Sequence, residues 1–293
     1  MRRPRDRTQM LDRRQLLTRF SAAALFLNGH GSAAWAQGEQ NAPLEPPAQP
    51  SGEIAPRLLG LNLVTTSPVS DMKHFYGEKL GLPILFEEDK ELVVQAGGTE
   101  IRFTYTSEAN AAPFYHFAFN IPQNKILAAR KWQFERTPLF ITPENLRDPS
   151  FPDDVRHFRR WNAHSVFFWD PAGNVLEYIA RHDLGNSADG PFSSEDIHYA
   201  SEIAFVVDDV PGTATVVQTR FELDQYGWGG EPFWAIGDER GLLLLFKRGR
   251  QIGDRLRDRP APVDVFPTRV EIRGDPVGVF DFPGYPYAIR VLE

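Results

Sequence analysis

An α+β fold built from a repeated β-α-β-β-β unit is what this sequence predicts, on three observations. Three passages begin alike, as alternating apolar strands: LLGLNLVT (58–65), YHFAFNIP (115–122) and SEIAFVVDDV (201–210). Each is followed by a segment whose apolar residues recur at helical spacing. Each of those is followed by short runs that alternate apolar and polar, the period of a strand with two unlike faces. A unit repeated in this order cannot bury its sheet face alone, so the units must pack on one another.

Taken in order, the first helix starts near Ser70, with Asp71 in its first turn. Phe75, Leu80 and Leu82 fall on one face, and Gly81 and Pro83 close the segment. ILFEE (84–88), ELVVQAG (91–97) and EIRFTYT (100–106) are its strands. In the second unit the helix is expected over Lys125–Glu135, and the strands over LFIT (139–142), SVFFWD (165–170) and VLEYIA (175–180). The charged, Pro-rich stretch Pro143–Arg160 reads as a surface insertion or a lid. The third unit, weaker than the others, has a helix over Gly212–Phe221 and strands FWAIG (233–237) and LLLLFK (242–247). RVEIRG (269–274) and YAIRVLE (287–293) are left to cover its spare edge, since an open edge invites pairing with another chain.

The N-terminal stretch carries seven arginines, including the pair Arg13-Arg14, and then an apolar, small-residue run ending at Ala34-Trp35-Ala36. A basic head, an apolar middle and an A-x-A site make a cleavable export signal over residues 1–36, and the paired arginines make it one of twin-arginine type. The mature chain is therefore expected in the periplasm or secreted. Asn28, Gly29, His30 and Gly31 break the apolar run well short of a membrane span, so no stable anchor is expected. Residues 37–56, rich in Pro, Gln and Glu, read as a linker. Removing a net +5 with the signal from a chain of net −7 leaves −12, which argues against a nucleic-acid partner. The chain has no cysteine, which excludes disulfides, thiol catalysis and thiolate metal sites.

FYGEKLGLP (75–83), YHFAFNIP and above all WDPAGNVLEYIARH (169–182) resemble the vicinal oxygen chelate superfamily. That group includes glyoxalase I, the bleomycin and fosfomycin resistance proteins and the extradiol dioxygenases. The resemblance implies two βαβββ modules over 57–185 that form a curved mixed sheet around a cleft, with a third, partial module and C-terminal extension over 196–293. It also implies a divalent metal held in the cleft by the first and last strands of each module.

Laying the units over one another places candidate residues. His116 shares a face with Ala118 and Asn120, away from the greasy face of Phe117, Phe119 and Ile121, and Glu177 lies in the last strand of the same unit. These two match the ligand positions of the resemblance. The first unit offers Gly60 in place of His116, then Asn62, and Arg102 in place of Glu177; neither glycine nor guanidinium can bind a metal. The third unit offers Glu202 in place of His116 but Leu245 in place of Glu177, so it reads as a structural half-site.

Two functions follow. In the first, Fe, Mn, Ni or Zn on His116 and Glu177, with His164 or Asn62 completing the site, serves a lyase, isomerase or dioxygenase reaction. Arg102 and Trp161 would then help to bind a small oxygenated substrate. In the second, the chain is a metal-free small-molecule-binding protein of the bleomycin-resistance type, with Arg102 and Glu177 joined in a salt bridge. Either is compatible with a homodimer.

Overall fold

The computed structural model describes residues 55–108, 113–252 and 261–293. The export signal and all but the last two residues of the linker lie outside the described residues. Among the described residues no helix is long and apolar enough to cross a membrane.

The first unit comprises β1 (Leu58–Thr65), α1 (Val69–Lys73) running on as a π-helical turn (His74–Lys79), β2 (Ile84–Glu88), β3 (Glu91–Ala96) and β4 (Thr99–Tyr105). The second has β5 (His116–Ile121), α2 (Ile126–Phe134), β6 (Arg156–Phe158), β7 (Ala163–Trp169) and β8 (Val175–Arg181). The third has β9 (Tyr199–Val207), α3 (Val210–Phe221), β10 (Gln225–Gly230), β11 (Phe233–Asp238) and β12 (Gly241–Lys247). A short ribbon, β13 (Gln251–Ile252) and β14 (Ala261–Pro262), leads to β15 (Thr268–Arg273), β16 (Gly278–Asp281) and β17 (Tyr287–Leu292). These last three form a fourth unit, without a helix and with one strand fewer.

The repeats are paired otherwise than the resemblance implied. One sheet runs β16-β17-β15-β1-β4-β3-β2 and the other β10-β11-β12-β9-β5-β8-β7-β6. In every unit the first strand lies parallel to the last. The two sheets are each closed at the middle by antiparallel first strands, β1 with β15 and β5 with β9. The first unit therefore joins the fourth, and the second joins the third. RVEIRG and YAIRVLE extend the first unit's sheet and do not cover the third unit's edge. LFIT forms no strand: Pro138 and Pro143 flank it, proline withholds a donor and restricts the residue before it, and only Leu139 bridges to Phe168. Arg156–Phe158, inside the stretch read as an insertion, is the outer strand instead.

Local chemistry explains the elements. Asp209 caps α3 by accepting from the Gly212 N–H, and Pro211 occupies its first turn, where no donor is needed. At the β7–β8 turn Asp170 accepts from the Asn174 N–H (2.8 Å), the Asn174 amide (2.7 Å) and the Tyr76 hydroxyl (2.8 Å). Asn174 in turn accepts from the Tyr115 N–H at 2.8 Å. The FYGEKLG and DPAGN stretches are thus bound to each other, one from each sheet. The sheets also meet where Gly97, at φ +52°, presses on the chain entering β9. A Cβ there would stand 1.9 Å from the His198 carbonyl oxygen, so no other residue fits.

Burial pushes the Asp170 carboxyl up to about 6 from its ordinary 3.8, against the pull of its three donors. A raised value means that its contribution to stability is complete below 3.8 and is lost as pH rises through about 6. That window corresponds to about 3 kcal/mol. Urea unfolding at pH 4 and pH 7 should show this loss in the parent but not in Asp170→Asn; equal slopes in the two chains would refute it.

One hydrophobic core lies between the sheets and the helices, and draws on Leu61, Phe103, Phe117, Ile203, Val270 and their neighbours. A second fills the hollow of the β5–β9 sheet with Phe158, Trp161, Phe167, Ile179, Leu244 and Phe246. The corresponding face of the other sheet carries half-buried Asn62 and Arg102.

Candidate functional site

Strand register builds the site. Across β8, β5 and β9, Glu177, Ala118 and Glu202 stand side by side. His116, two residues along β5 from Ala118, points to the same side. Ala118 is small, so the two carboxylates flank a gap and the imidazole comes down to it. His116 Nε2 lies 3.6 Å from Glu177 Oε2 and 4.0 Å from Glu202 Oε2. Relative exposures are 3%, 1% and 2%, so almost no water competes for these atoms.

The orientation of each group is held from behind. His116 Nδ1 lies 3.0 Å from the Val175 carbonyl, which only accepts, so the proton sits on Nδ1 and Nε2 is left as a bare acceptor. Phe246 and Phe167 flank the ring at 6.0 and 6.2 Å. Glu202 presents Oε2 to the gap because Oε1 accepts from Arg181 Nη2 at 2.5 Å. Arg181 is itself fully buried, with Trp161 and Tyr226 at 5.6 and 5.7 Å from its guanidinium. Gly227, at φ +69°, admits the Trp161 ring, since a Cβ there would stand 2.5 Å from Nε1. Glu177 Oε1 is buried without a hydrogen bond.

Electrostatics follows from this burial. Desolvation, with Arg156 and Arg250 adding to it, holds His116 down to about 4, so the ring is neutral at pH 7. Burial and the neighbouring charge of Glu202 push Glu177 well above the ordinary carboxylate range. One imidazole nitrogen and two carboxylate groups thus converge, and burial favours a proton on Glu177 unless a cation takes its place. Beside them a narrow cleft runs past His116, Tyr115, Phe246, Phe266, Thr268 and Tyr287.

Of the residues singled out in the sequence, His116 and Glu177 meet here, and Trp161 stands in the wall over Arg181. Asn62 and Arg102 do not reach it. They lie in the other sheet, in register with Arg269, so a row of two arginines and an asparagine stands where this sheet has two glutamates and an alanine. Arg102 is paired within its own unit, to Glu91 and to Glu100 (3.0 Å), which rules out the expected bridge to Glu177. His164 does not complete the site either: Phe167 pairs with Glu177, and His164, an odd number of residues away, points from the opposite face of β7.

Glu202, read as a relic of a half-site, is the third member. The signal was its place opposite His116 in the repeat, and what concealed it was the assumption that the first two units pair. The position equivalent to Glu177 in the third unit is Leu244, which faces the hollow, whereas Leu245 packs in the core beneath the helices.

No family model matches the chain, and no curated protein matches it. Solved structures do. A Bacillus subtilis protein provisionally described as a dioxygenase is 15% identical, over 82% of this chain and 86% of its own, with a TM-score of 0.52. A glyoxalase I mutant from Zea mays is 15% identical over 80% of this chain and 91% of its own, with a TM-score of 0.47. A lactoylglutathione lyase from Agrobacterium tumefaciens is 16% identical over 44% of this chain and 93% of its own, with a TM-score of 0.32. Only the first likeness is strong enough to carry an argument, and what it carries is the fold. Together with the repeated units and their two curled mixed sheets, it shows that this chain has the vicinal oxygen chelate fold.

Proposed function

We propose that this chain is an exported, divalent-metal-dependent enzyme, of lyase, isomerase or dioxygenase type, acting on a small oxygenated molecule at His116, Glu177 and Glu202. The observation that carries this reading is the convergence of three buried ligand atoms, one imidazole nitrogen and two carboxylate oxygens, at the spacing of a shared ion. A hydrogen bond between a protonated Glu177 and His116 Nε2 would need about 2.7–3.2 Å, and the separation is 3.6 Å. Two atoms each about 2.1 Å from a shared ion stand roughly 3.0–4.2 Å apart, which is the range found here. Imidazole with two carboxylates suits Fe, Mn, Ni or Zn. Such an ion, when bound, supplies Lewis acidity for a substrate's oxygens.

The chain's own residues do the rest. Val175 fixes the imidazole tautomer, Arg181 aims Glu202, and Phe167 and Phe246 keep water from the acceptors. The position facing them from the third unit is Leu244, which cannot be a ligand and so leaves a coordination position of the ion unfilled by protein. The metal-free alternative, a small-molecule-binding protein, is favoured by the Arg181–Glu202 pair, which already neutralises one carboxylate, and by the burial that favours the protonated form of Glu177. It leaves Glu177 Oε1 without a hydrogen bond and Oε2 3.6 Å from His116 Nε2, beyond hydrogen-bonding distance.

One preparation tests both halves of the proposal. The chain expressed with its own leader should be recovered outside the cytoplasm, beginning near Gln37, with bound metal by elemental analysis. The His116→Ala, Glu177→Ala double variant should hold one equivalent fewer. Equal metal content in the two, or a parent that takes up none when Fe, Mn, Ni or Zn is supplied, sinks the enzyme reading. A cytoplasmic chain that keeps its leader sinks the export.

A further inference from the structure

We propose a second divalent-metal site on the far side of β7, formed by Asp148, His157 and His164, with His182 as the outer partner of His164. It does not rest on the proposed metal in the hollow. The strand β6 turns Arg156 and Phe158 towards the hollow and His157 the other way. His157 and His164 are directly paired across β6 and β7, and their rings are stacked, with centroids 4.4 Å apart and planes 8° from parallel. Phe151 covers the other face of His164 at 4.2 Å. Asp148 comes over from the preceding loop, its Oδ1 engaged by the Ser150 N–H at 2.9 Å, which leaves Oδ2 facing the imidazoles.

The ligand atoms of Asp148, His157 and His164 all lie within 4.8 Å of one another. His182 Nε2 lies 2.7 Å from His164 Nδ1, so one proton is shared between the two nitrogens. With that proton on His164 Nδ1, His164 Nε2 offers a lone pair 3.3 Å from Asp148 Oδ2, where in the other tautomer the ring hydrogen-bonds to the carboxylate. His157 Nδ1 stands 3.7 Å from the same oxygen, too far for a hydrogen bond. These separations again suit ligands about 2.1 Å from one ion. An acceptor behind a ligating histidine, taking the proton of its other ring nitrogen, fixes the ring and strengthens it as a ligand, which is the place His182 takes. Two imidazoles and one carboxylate select a first-row transition ion such as Zn, Co or Ni over Ca or Mg, which take oxygen ligands. Bound there, the ion would pin the 142–161 segment to the strands whose opposite faces wall the hollow.

The test is titration of the full chain with Co²⁺, read by its visible absorption, and with Zn²⁺ in competition. Glu177→Gln removes the hollow's contribution, and that variant should still bind one equivalent. Asp148→Asn or His157→Gln in the same background should weaken binding by at least about 100-fold, and His182→Asn by roughly 10–100-fold. Asp148 and His157 are half-exposed, so these changes should leave the metal-free urea midpoint unmoved. Parent and parent carrying Asp148→Asn are titrated alongside; if Glu177→Gln does not fold, the difference of one equivalent between those two stands in for it. No uptake by Glu177→Gln, or uptake that Asp148→Asn and His157→Gln leave intact, overturns the proposal. A parent that binds a single equivalent, lost with Asp148→Asn but unchanged by Glu177→Gln, would instead strike the proposed function and leave this site standing.

Discussion

Arg181→Met is expected to lower the free energy of unfolding by about 3–5 kcal/mol, read as a fall in the urea midpoint at unchanged slope. The guanidinium is wholly buried and holds Glu202, with Trp161 and Tyr226 against it. Methionine fills much of the same volume but leaves the carboxylate of Glu202 uncompensated next to Glu177. Most of the loss is the cost of that stranded charge, so Arg181→Met with Glu202→Leu should recover the greater part of it. A single substitution that costs under about 1 kcal/mol, or a double variant no better than the single one, would show that the pair does not stabilise the hollow.

Saturating divalent metal is expected to raise stability by about 4 kcal/mol when present at a thousand times its dissociation constant, since it binds the folded chain only. To read the hollow alone, this is measured in the Asp148→Asn background. Adding Glu177→Gln to that background should abolish the gain. The same substitution removes a carboxyl that burial and Glu202 already make costly to ionise, so the metal-free variant should be no less stable than its parent. A metal-dependent gain that survives Glu177→Gln would place the ion elsewhere. A metal-free variant that is markedly less stable would mean that Glu177 holds the hollow together by some contact other than a shared ion.

Much of the site was legible because strand alternation is local. That His116 and Glu177 face away from the helices follows from residue parity in two short strands, and the structure has them so. The same rule, applied to β7, would have set His164 on the other side of the sheet from Glu177. It was missed because β6 was sought at LFIT, and the strand that carries His157 was taken for an insertion. Asn62 and Arg102 were correctly matched by position to Ala118 and Glu177, yet matching positions in a repeat are not neighbours in space.

By itself the sequence determined the repeated β-α-β-β-β unit, the apolar face of each strand and the two motifs that resemble vicinal oxygen chelate proteins. Hydrophobic period, turn chemistry and capping are all written within a few residues of where they act. Which unit lies beside which was decided only in the tertiary structure. Every unit offers the same kind of greasy face and the same free first strand, so local pattern cannot choose among partners. The choice rests on contacts far apart in sequence, such as Gly97 against His198, Tyr76 with Asp170, and β1 with β15. That pairing brought Glu202 to His116 and Glu177, and sent Arg102 to a different sheet.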